Sequence, residues 1–506
     1  MIRASGIIMP VFSLPGKYGI GTFGREAYEF VDFLRSAGQK YWQVLPMGPT
    51  DCGNSPYSSL SVFAGNPLFI DLEELAGEGL LDADRLRMAG WGNDDVDYDK
   101  VIFPKNRFLR QAFERGYEEA RADVNDFSAR NGWVWDFGLY MALKNYFGGR
   151  PWYEWDEDIR LREPSAVMRY ASELKTEINY HIYVQYLFFK QWDKLKKYAE
   201  KNGIMFIGDI PIYAAMDSAD VWATPENFQL DKDGRPSAVA GVPPDYFSKD
   251  GQLWGNPLYD WNAMEKDGYG WWIRRIDSAG KLYDVIRIDH FRGLESYWSV
   301  PYGEKTAING HWEEGPGLDF INRIKGWFPG IKIIAEDLGL LTDGVRELLK
   351  NSGFPGMKVL QFAFDKSENS DYLPHKYERN CVCYGGTHDN ATIREWLEDG
   401  DPDEIALARE YFGIGMDEDF CMAVIRGGMA SVADTFITQM QDYLGLGAEA
   451  RTNVPGTVGD NWKWRMKAGA ADGAIAKKIL RMTKLYGRYD YSFDTGEKTT
   501  MEDVDD

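Results

Sequence analysis

The feature that most restricts this chain is a series of short, continuously apolar runs, each ending in polar or charged residues and followed by a helix-forming stretch. The runs are 6–14, 41–46, 204–212, 283–289, 331–336, 357–364 and 381–389. A strand wetted on one side alternates apolar and polar residues. An unbroken apolar run is buried on both sides, as in a parallel sheet covered by helices. Seven such runs, with 451–455 as the candidate eighth, match the count of a (β/α)8 TIM barrel in the α/β class.

The 506 residues exceed the roughly 250 of a plain barrel, so one catalytic domain with large insertions is expected rather than a string of domains. The second and third runs are separated by residues 50–203, far more than one crossover helix needs, which predicts an inserted, mostly helical subdomain. Within it, 106–124 and 179–202 read as long amphipathic helices, the second stopped by Gly203 at a C-cap position. Residues 213–262 are rich in turn formers and aromatics and read as a loop insertion covering the substrate. The polar, acidic segment 496–506 is expected to fray.

Lys and Arg total 57 against 79 Asp and Glu, a formal net charge of -22. That charge repels nucleic acid and anionic membranes, and no basic stretch offsets it. Cysteines occur only at 52, 381, 383 and 421, without the spacing of a thiolate metal site or a disulfide framework. The first residues lack the pattern of a signal peptide, and no span has the roughly 18 apolar residues of a membrane helix; a cytoplasmic protein is expected. Aromatics make up 15% of the chain although mean hydropathy is -0.43. Most fill the core, but carboxylates and aromatics together suit a sugar, whose hydroxyls need acceptors and whose C–H faces need π-surfaces.

Two segments imitate cofactor sites. Gly19-Ile20-Gly21-Thr22-Phe23-Gly24 satisfies G-x-G-x-x-G between a strand-like and a helix-like run, yet the next strand, 41–46, lacks the acidic residue that would hold a ribose. The glycines are read as a turn closing the first βα unit or lying near a ligand. Asp231-Lys232-Asp233-Gly234 resembles the start of a calcium loop, but the twelfth position is Ala240, so a hairpin turn is predicted. No His/carboxylate spacing suits a metal. Neither a metal nor an organic cofactor is expected.

Three runs end in a carboxylate, at Asp289, Glu336 and Asp389. Barrel strands converge at their C-terminal ends, where catalytic side chains from different strands share one pocket. Side chains repeat every second residue along a strand, so Arg287 and Asp289 share a side, and the guanidinium is expected to hold Asp289 ionised with a lowered pKa. Glu336 follows only apolar neighbours and should be raised toward the range of a general acid. One ionised and one protonated carboxyl is the glycosidase pattern, retaining if the two lie about 5–5.5 Å apart. Asp389 would be a third carboxylate bonding ring hydroxyls, and His388 and His290 are candidate donors to the sugar. The same chemistry leaves open a transferase, an α-glucan hydrolase or a non-catalytic glucan-binding protein that kept the fold.

The trio Arg287-Ile288-Asp289, Glu336 and His388-Asp389 resembles the short signatures of the α-amylase clan. Further motifs narrow the likeness: Ser5-Gly6-Ile7, Trp42-Gln43-Val44-Leu45-Pro46, Ser55-Pro56-Tyr57, Gly208-Asp209-Ile210-Pro211, Trp254-Gly255-Asn256-Pro257, Asp289-His290-Phe291-Arg292-Gly293 and Asn461-Trp462-Lys463-Trp464-Arg465. Over roughly residues 1–470 the chain is similar to the 4-α-glucanotransferases, also called amylomaltases or disproportionating enzymes. The resemblance implies a barrel without a C-terminal β-domain, no cofactor, and transfer of α-1,4-glucan segments between maltooligosaccharides. It implies Asp289 as nucleophile, Glu336 as acid/base and Asp389 as transition-state stabiliser. It further implies Arg287, His388, Asp209, Tyr57, Ser55, Asn461 and His290 as substrate-binding, with Trp254 in a lid on the acceptor side. Where similar enzymes often carry an aromatic before Ser55, this chain has Asp51-Cys52-Gly53, so an accessory stacking platform is not implied there. Ala391 stands where a second Asp is frequent.

Overall fold

Eight short strands, in chain order Ala4–Ile8, Tyr41–Gln43, Met205–Ile210, Val285–Ile288, Ile333–Ala335, Gly356–Val359, Cys381–Tyr384 and Thr435–Gln439 (β1 to β8), pair in parallel in the computed structural model. It describes residues 2–494 apart from 52, 90, 93–94, 245–247, 340 and 366–369. Cys52 and the segment 496–506 lie outside the described residues. The spatial order is β6-β7-β8-β1-β2-β3-β4-β5, and the amide of Ala335 donates to the Pro355 carbonyl at 3.0 Å, which brings β5 back to the start of β6 and closes the barrel. Among the described residues no strand follows Gln439.

The period of two along each strand sorts the barrel interior. Ala4, Ile8, Tyr41, Ile207, Val285, Ile334, Met357, Val382 and Ile437 pack together as an apolar plug. Two residues further along the same strands stand Asp209, Arg287 and Glu336, so the interior turns from apolar to charged toward the C-terminal ends. The outward-facing residues pack under the helices. Trp192, for example, is fully buried, with its ring centroid 4.6 Å from that of Phe206; truncation there would cost roughly 3–5 kcal/mol.

The eighth strand is Thr435–Gln439, not 451–455. It pairs with β1 from Ala4↔Thr435 to Ile8↔Gln439. Its sequence, Thr-Phe-Ile-Thr-Gln, hides it because the polar members are buried as well, Thr438 donating to Asp442. Residues 451–455 instead leave a 3-10 turn, Ala448–Ala450, as an irregular loop.

Apart from one isolated bridge, regular structure between β2 and β3 is helical among the described residues. The helix expected at 106–124 starts earlier, as Tyr98–Gly116, because the Asp97 carboxylate caps Lys100 N–H. A separate helix, Arg121–Arg130, comes after it. The second expected helix is Lys175–Lys201, 27 residues long, and Gly203 at φ 74° turns the chain out of it. No helix among the described residues is long and apolar enough to cross a membrane.

The G-x-G-x-x-G segment closes the first βα unit. A Cβ at Gly21 would lie 1.9 Å from the Val11 carbonyl oxygen, and one at Gly24 would lie 2.2 Å from the Asp71 carboxylate. That carboxylate accepts from Thr22 Oγ1 at 2.7 Å, an anion packed against the glycine turn. Asp231–Gly234 is a hairpin turn: Asp231 and Arg235 pair through their backbones and Gly234 takes φ 75°. The 213–262 segment is more ordered than a loop. Its strands Ala238–Val242 and Gln252–Pro257 join Ser296–Pro301 and His311–Glu314 in an antiparallel sheet of four.

Candidate active site

The charged ends of β3, β4 and β5 are set by register. Asp209 pairs with Arg287 across β3 and β4, and Ile288 pairs with Ala335 across β4 and β5. Asp289 and Glu336 are therefore next residues on adjacent strands, tied by Asp289 N–H to the Ile210 carbonyl and Glu336 N–H to the Ile288 carbonyl, both at 3.0 Å. Arg287 Nη1 lies 2.6 Å from Asp209 Oδ2 and 2.9 Å from Asp289 Oδ1. Its Nε donates to Met357 Sδ at 3.4 Å. The same Asp209 oxygen accepts from Tyr57 OH at 2.7 Å.

Glu336 is 9% exposed and is held at both oxygens by backbone donors, His290 N–H at 2.8 Å and Leu338 N–H at 2.7 Å. Just past the first donor the chain turns, His290 adopting a left-handed backbone, φ 51°, a conformation uncommon outside glycine and asparagine. The imidazole of His290 meets the edge of Trp254, ring centroids 4.8 Å apart at 83°. Burial, with help from Arg292, keeps that imidazole neutral, its pKa lowered to about 3.

Asp389, on the loop after β7, is held by Asn453 Nδ2 at 2.6 Å and lies 3.3 Å from His388 Nε2. Tyr57 stacks on His388 at 5.1 Å and 17°, and Trp462 leans on both rings at 5.9 Å. Ser55 Oγ accepts from Tyr57 N–H at 3.3 Å, a turn that fixes where the tyrosine stands.

Electrostatics separates the three carboxyls. Burial raises Glu336 to about 7, with the Asp289 charge adding to it against Arg287 and the two backbone donors. Asp389 is pulled the other way: burial alone would raise it, but His388, Asn453 and Arg287 together lower it to about 2. Asp289 departs from the sequence expectation. Burial raises it, Asp209 and Asp389 add to the rise, and Arg287 only partly offsets them, leaving it at about 6. The guanidinium expected to hold Asp289 low divides its charge with Asp209, a carboxylate contributed by a different strand. Glu336 still holds its proton more tightly than Asp289, so the two carboxyls divide into an acid and a carboxylate.

Contacts thus link Asp209, Arg287, Asp289, His290, Glu336, His388, Asp389, Tyr57 and Trp254 into one cluster at the C-terminal ends of the strands, with Ser55 behind Tyr57. Asn461 is engaged within its own loop: Oδ1 accepts from Val454 N–H and Nδ2 donates to Thr457. The asparagine that touches a carboxylate is Asn453, absent from the sequence-derived set, as are Met357 and the role of Trp462. Only the nearness of 453 to the 461–465 motif points there.

Comparison with known proteins agrees with this geometry. The 4-alpha-glucanotransferase family model matches residues 9–471. The chain is 50% identical over 485 residues to a 4-alpha-glucanotransferase of Clostridium butyricum, covering 95% of this chain and 100% of that one. It is 46% identical to one of Thermus thermophilus, over 95% and 98% of the two chains. The solved amylomaltase of Streptococcus agalactiae in complex with acarbose superposes with a TM-score of 0.94 at 42% identity, over 96% of this chain and 100% of that one. With the family model spanning most of its length and full-length relatives near half identity, this chain belongs to the 4-alpha-glucanotransferase family.

Proposed function

We propose that the enzyme carries out its transglycosylation of α-1,4-glucans by double displacement, with Asp289 as nucleophile and Glu336 as acid and base. The observation that carries this is the pairing of a buried, backbone-held Glu336, raised toward the range of a general acid, with an arginine-bound Asp289 on the neighbouring strand. In the first step Glu336 gives its proton to the glycosidic oxygen as an Asp289 oxygen bonds to C1, and the reducing-side glucan leaves with a free 4-hydroxyl. In the second, the 4-hydroxyl of an acceptor glucan gives its proton to the Glu336 carboxylate and attacks C1, releasing Asp289. Two inversions retain the α configuration. Asp389, held ionised, accepts from ring hydroxyls and stabilises the oxocarbenium-like transition state.

Arg287, His388, Asp209 and Tyr57 surround the sugar at the cleavage point, with Ser55 supporting Tyr57. Trp254 and His290 cover the acceptor side; excluding water there lets a sugar hydroxyl win the second step. Asn461 shapes the loop that brings Asn453 to Asp389. In this reading 50–203 is an inserted helical subdomain and 213–262 a substrate-covering segment of a single catalytic domain. Maltooligosaccharides are donor and acceptor, consistent with an acarbose-bound relative. Free, buried thiols at Cys381, Cys383 and Cys421 fit a reducing compartment, and we infer a cytoplasmic location.

Incubation with pure maltotriose tests the reading. Glucose should appear together with maltopentaose and longer chains while total reducing ends stay constant. Reducing ends that rise without longer products would make the enzyme a hydrolase on the same carboxylates.

A further inference from the structure

One of the two backbone donors to Glu336 comes from a residue with a left-handed backbone, His290. The His290 N–H lies in the peptide just past the end of β4 and donates to Glu336; the left-handed φ of His290 then turns the chain into a single 3-10 turn, Phe291–Leu294. One side of that turn is pinned to β5, since Phe291 N–H donates to the Glu336 carbonyl at 2.9 Å. The other side is gripped by the hairpin Ser296–Pro301 and His311–Glu314. Arg292, 4% exposed, lays its guanidinium over the Trp312 ring at 4.0 Å and donates to Ser296 Oγ at 3.2 Å. Gly315 N–H donates to the Glu295 carbonyl at 2.8 Å, and a Cβ at Gly315 would lie 2.4 Å from the Leu294 carbonyl oxygen. A planar cation stacked on an indole resists rotation in a way a flexible lysine contact would not.

We propose that Trp312, acting through Arg292, is a positioning residue: the hairpin clamps the turn after Asp289 so that His290 keeps its N–H on Glu336 and its ring against Trp254. Trp312 touches no carboxylate of the site. Trp312 is 39% exposed beside Trp298, ring centroids 5.1 Å apart, so a direct glucan contact is the competing role, and kinetics separate the two. A clamp that works through Glu336 acts mainly on kcat, whereas a stacking platform acts on KM.

Among the described residues, the charged or titratable groups facing Glu336 are Asp289, Arg287 and Tyr372, and none lies on the hairpin. Losing the His290 N–H removes a donor that favours the Glu336 carboxylate, so the alkaline limb of the pH profile moves up.

The test compares Trp312→Leu, which stays apolar but has no π-face, with Trp312→Phe, which keeps one; both are assayed on maltotriose after circular dichroism establishes folding. Trp312→Leu should lose about 10-fold or more in kcat with KM within about twofold and shift the alkaline limb upward, and Trp312→Phe should recover most of the rate. Should Trp312→Leu not fold, Arg292→Lys serves, with the same expected loss and limb shift. A KM rise at constant kcat, an unmoved limb, or full activity would overturn the inference. It rests on Glu336 as the acid/base, and the two fail separately. An active Glu336→Gln removes the acid/base reading, whereas an inactive Glu336→Gln beside an indifferent Trp312→Leu removes only the clamp.

Discussion

Arg287 Nη1 lies 2.9 Å from Asp289 Oδ1, yet Asp289 stays above the ordinary range of an aspartate. Burial is the first cause, and Asp209, which the same nitrogen approaches more closely at 2.6 Å, adds to the rise. One cation shared by two buried carboxylates neutralises neither fully. The arrangement leaves Asp289 and Glu336 close in proton affinity and makes the enzyme's pH dependence a readout of the site.

The productive state has Asp289 ionised and Glu336 protonated. With Asp289 raised to about 6 and Glu336 to about 7, kcat/KM against pH should be bell-shaped with a narrow maximum between those values. Asp209→Asn removes an anion that raises Asp289, so the acid limb should move to lower pH as kcat falls by about 10-fold or more with loss of the Tyr57 and Arg287 contacts. An acid limb that stays in place would show that Asp209 does not set the Asp289 proton affinity.

Stability carries the same signature with its sign reversed from a typical carboxylate. Glu336 binds its proton more tightly folded than unfolded, so its stabilising contribution is complete below the unfolded pKa and is lost as pH rises through about 7. Glu336→Gln forfeits a hydrogen bond at every pH but escapes that loss. Its stability relative to the parent should therefore rise between pH 5 and pH 9, on the order of 1–3 kcal/mol. Urea titrations at the two pH values measure it, and a constant difference would count against a raised Glu336.

Trp254, 38% exposed and edge-on to His290, keeps water from the glycosyl-enzyme in the proposed mechanism. Trp254→Ala should raise the ratio of hydrolysis to transfer at least about threefold. Following reducing ends and chain-length distribution in one reaction gives the ratio, and an unchanged value removes Trp254 from the partition.

Asn453 is not legible in the sequence, and its contact with Asp389 at 2.6 Å makes it the most informative addition to the site. A hydrogen bond to a charged group is worth about 1.5–3 kcal/mol, so Asn453→Ala should lower kcat roughly 10- to 100-fold with the protein folded. Asn461→Ala, whose bonds stay within its loop, should lose much less. Equal losses at both positions would mean that the loop, rather than the bond to Asp389, is what matters.

The way a parallel barrel is built decides which parts of it are legible in the sequence. Strands buried on both faces are continuous apolar runs, and their catalytic ends are the charged residues that interrupt them, so Asp289, Glu336 and Asp389 can be read directly. β8 escapes because Thr435, Thr438 and Gln439 are polar and buried, and burial of satisfied polar groups leaves no periodic trace. The hairpin 296–314 escapes because it is antiparallel and extends the insertion rather than the barrel. The direction of the Asp289 shift is hidden for a related reason: pattern along one strand shows Arg287 beside Asp289, but neither the burial that raises it nor Asp209, across the register, sharing the guanidinium.

The most direct test of the mechanism is to trap the glycosyl-enzyme with a 5-fluoro-α-glucosyl fluoride, digest the protein and locate the added mass by sequencing the labelled peptide. Double displacement through Asp289 predicts one sugar ester on that residue, formed in the parent and absent in Asp289→Asn. A label on Glu336 or Asp389, or turnover retained by Asp289→Asn without any label, would contradict it.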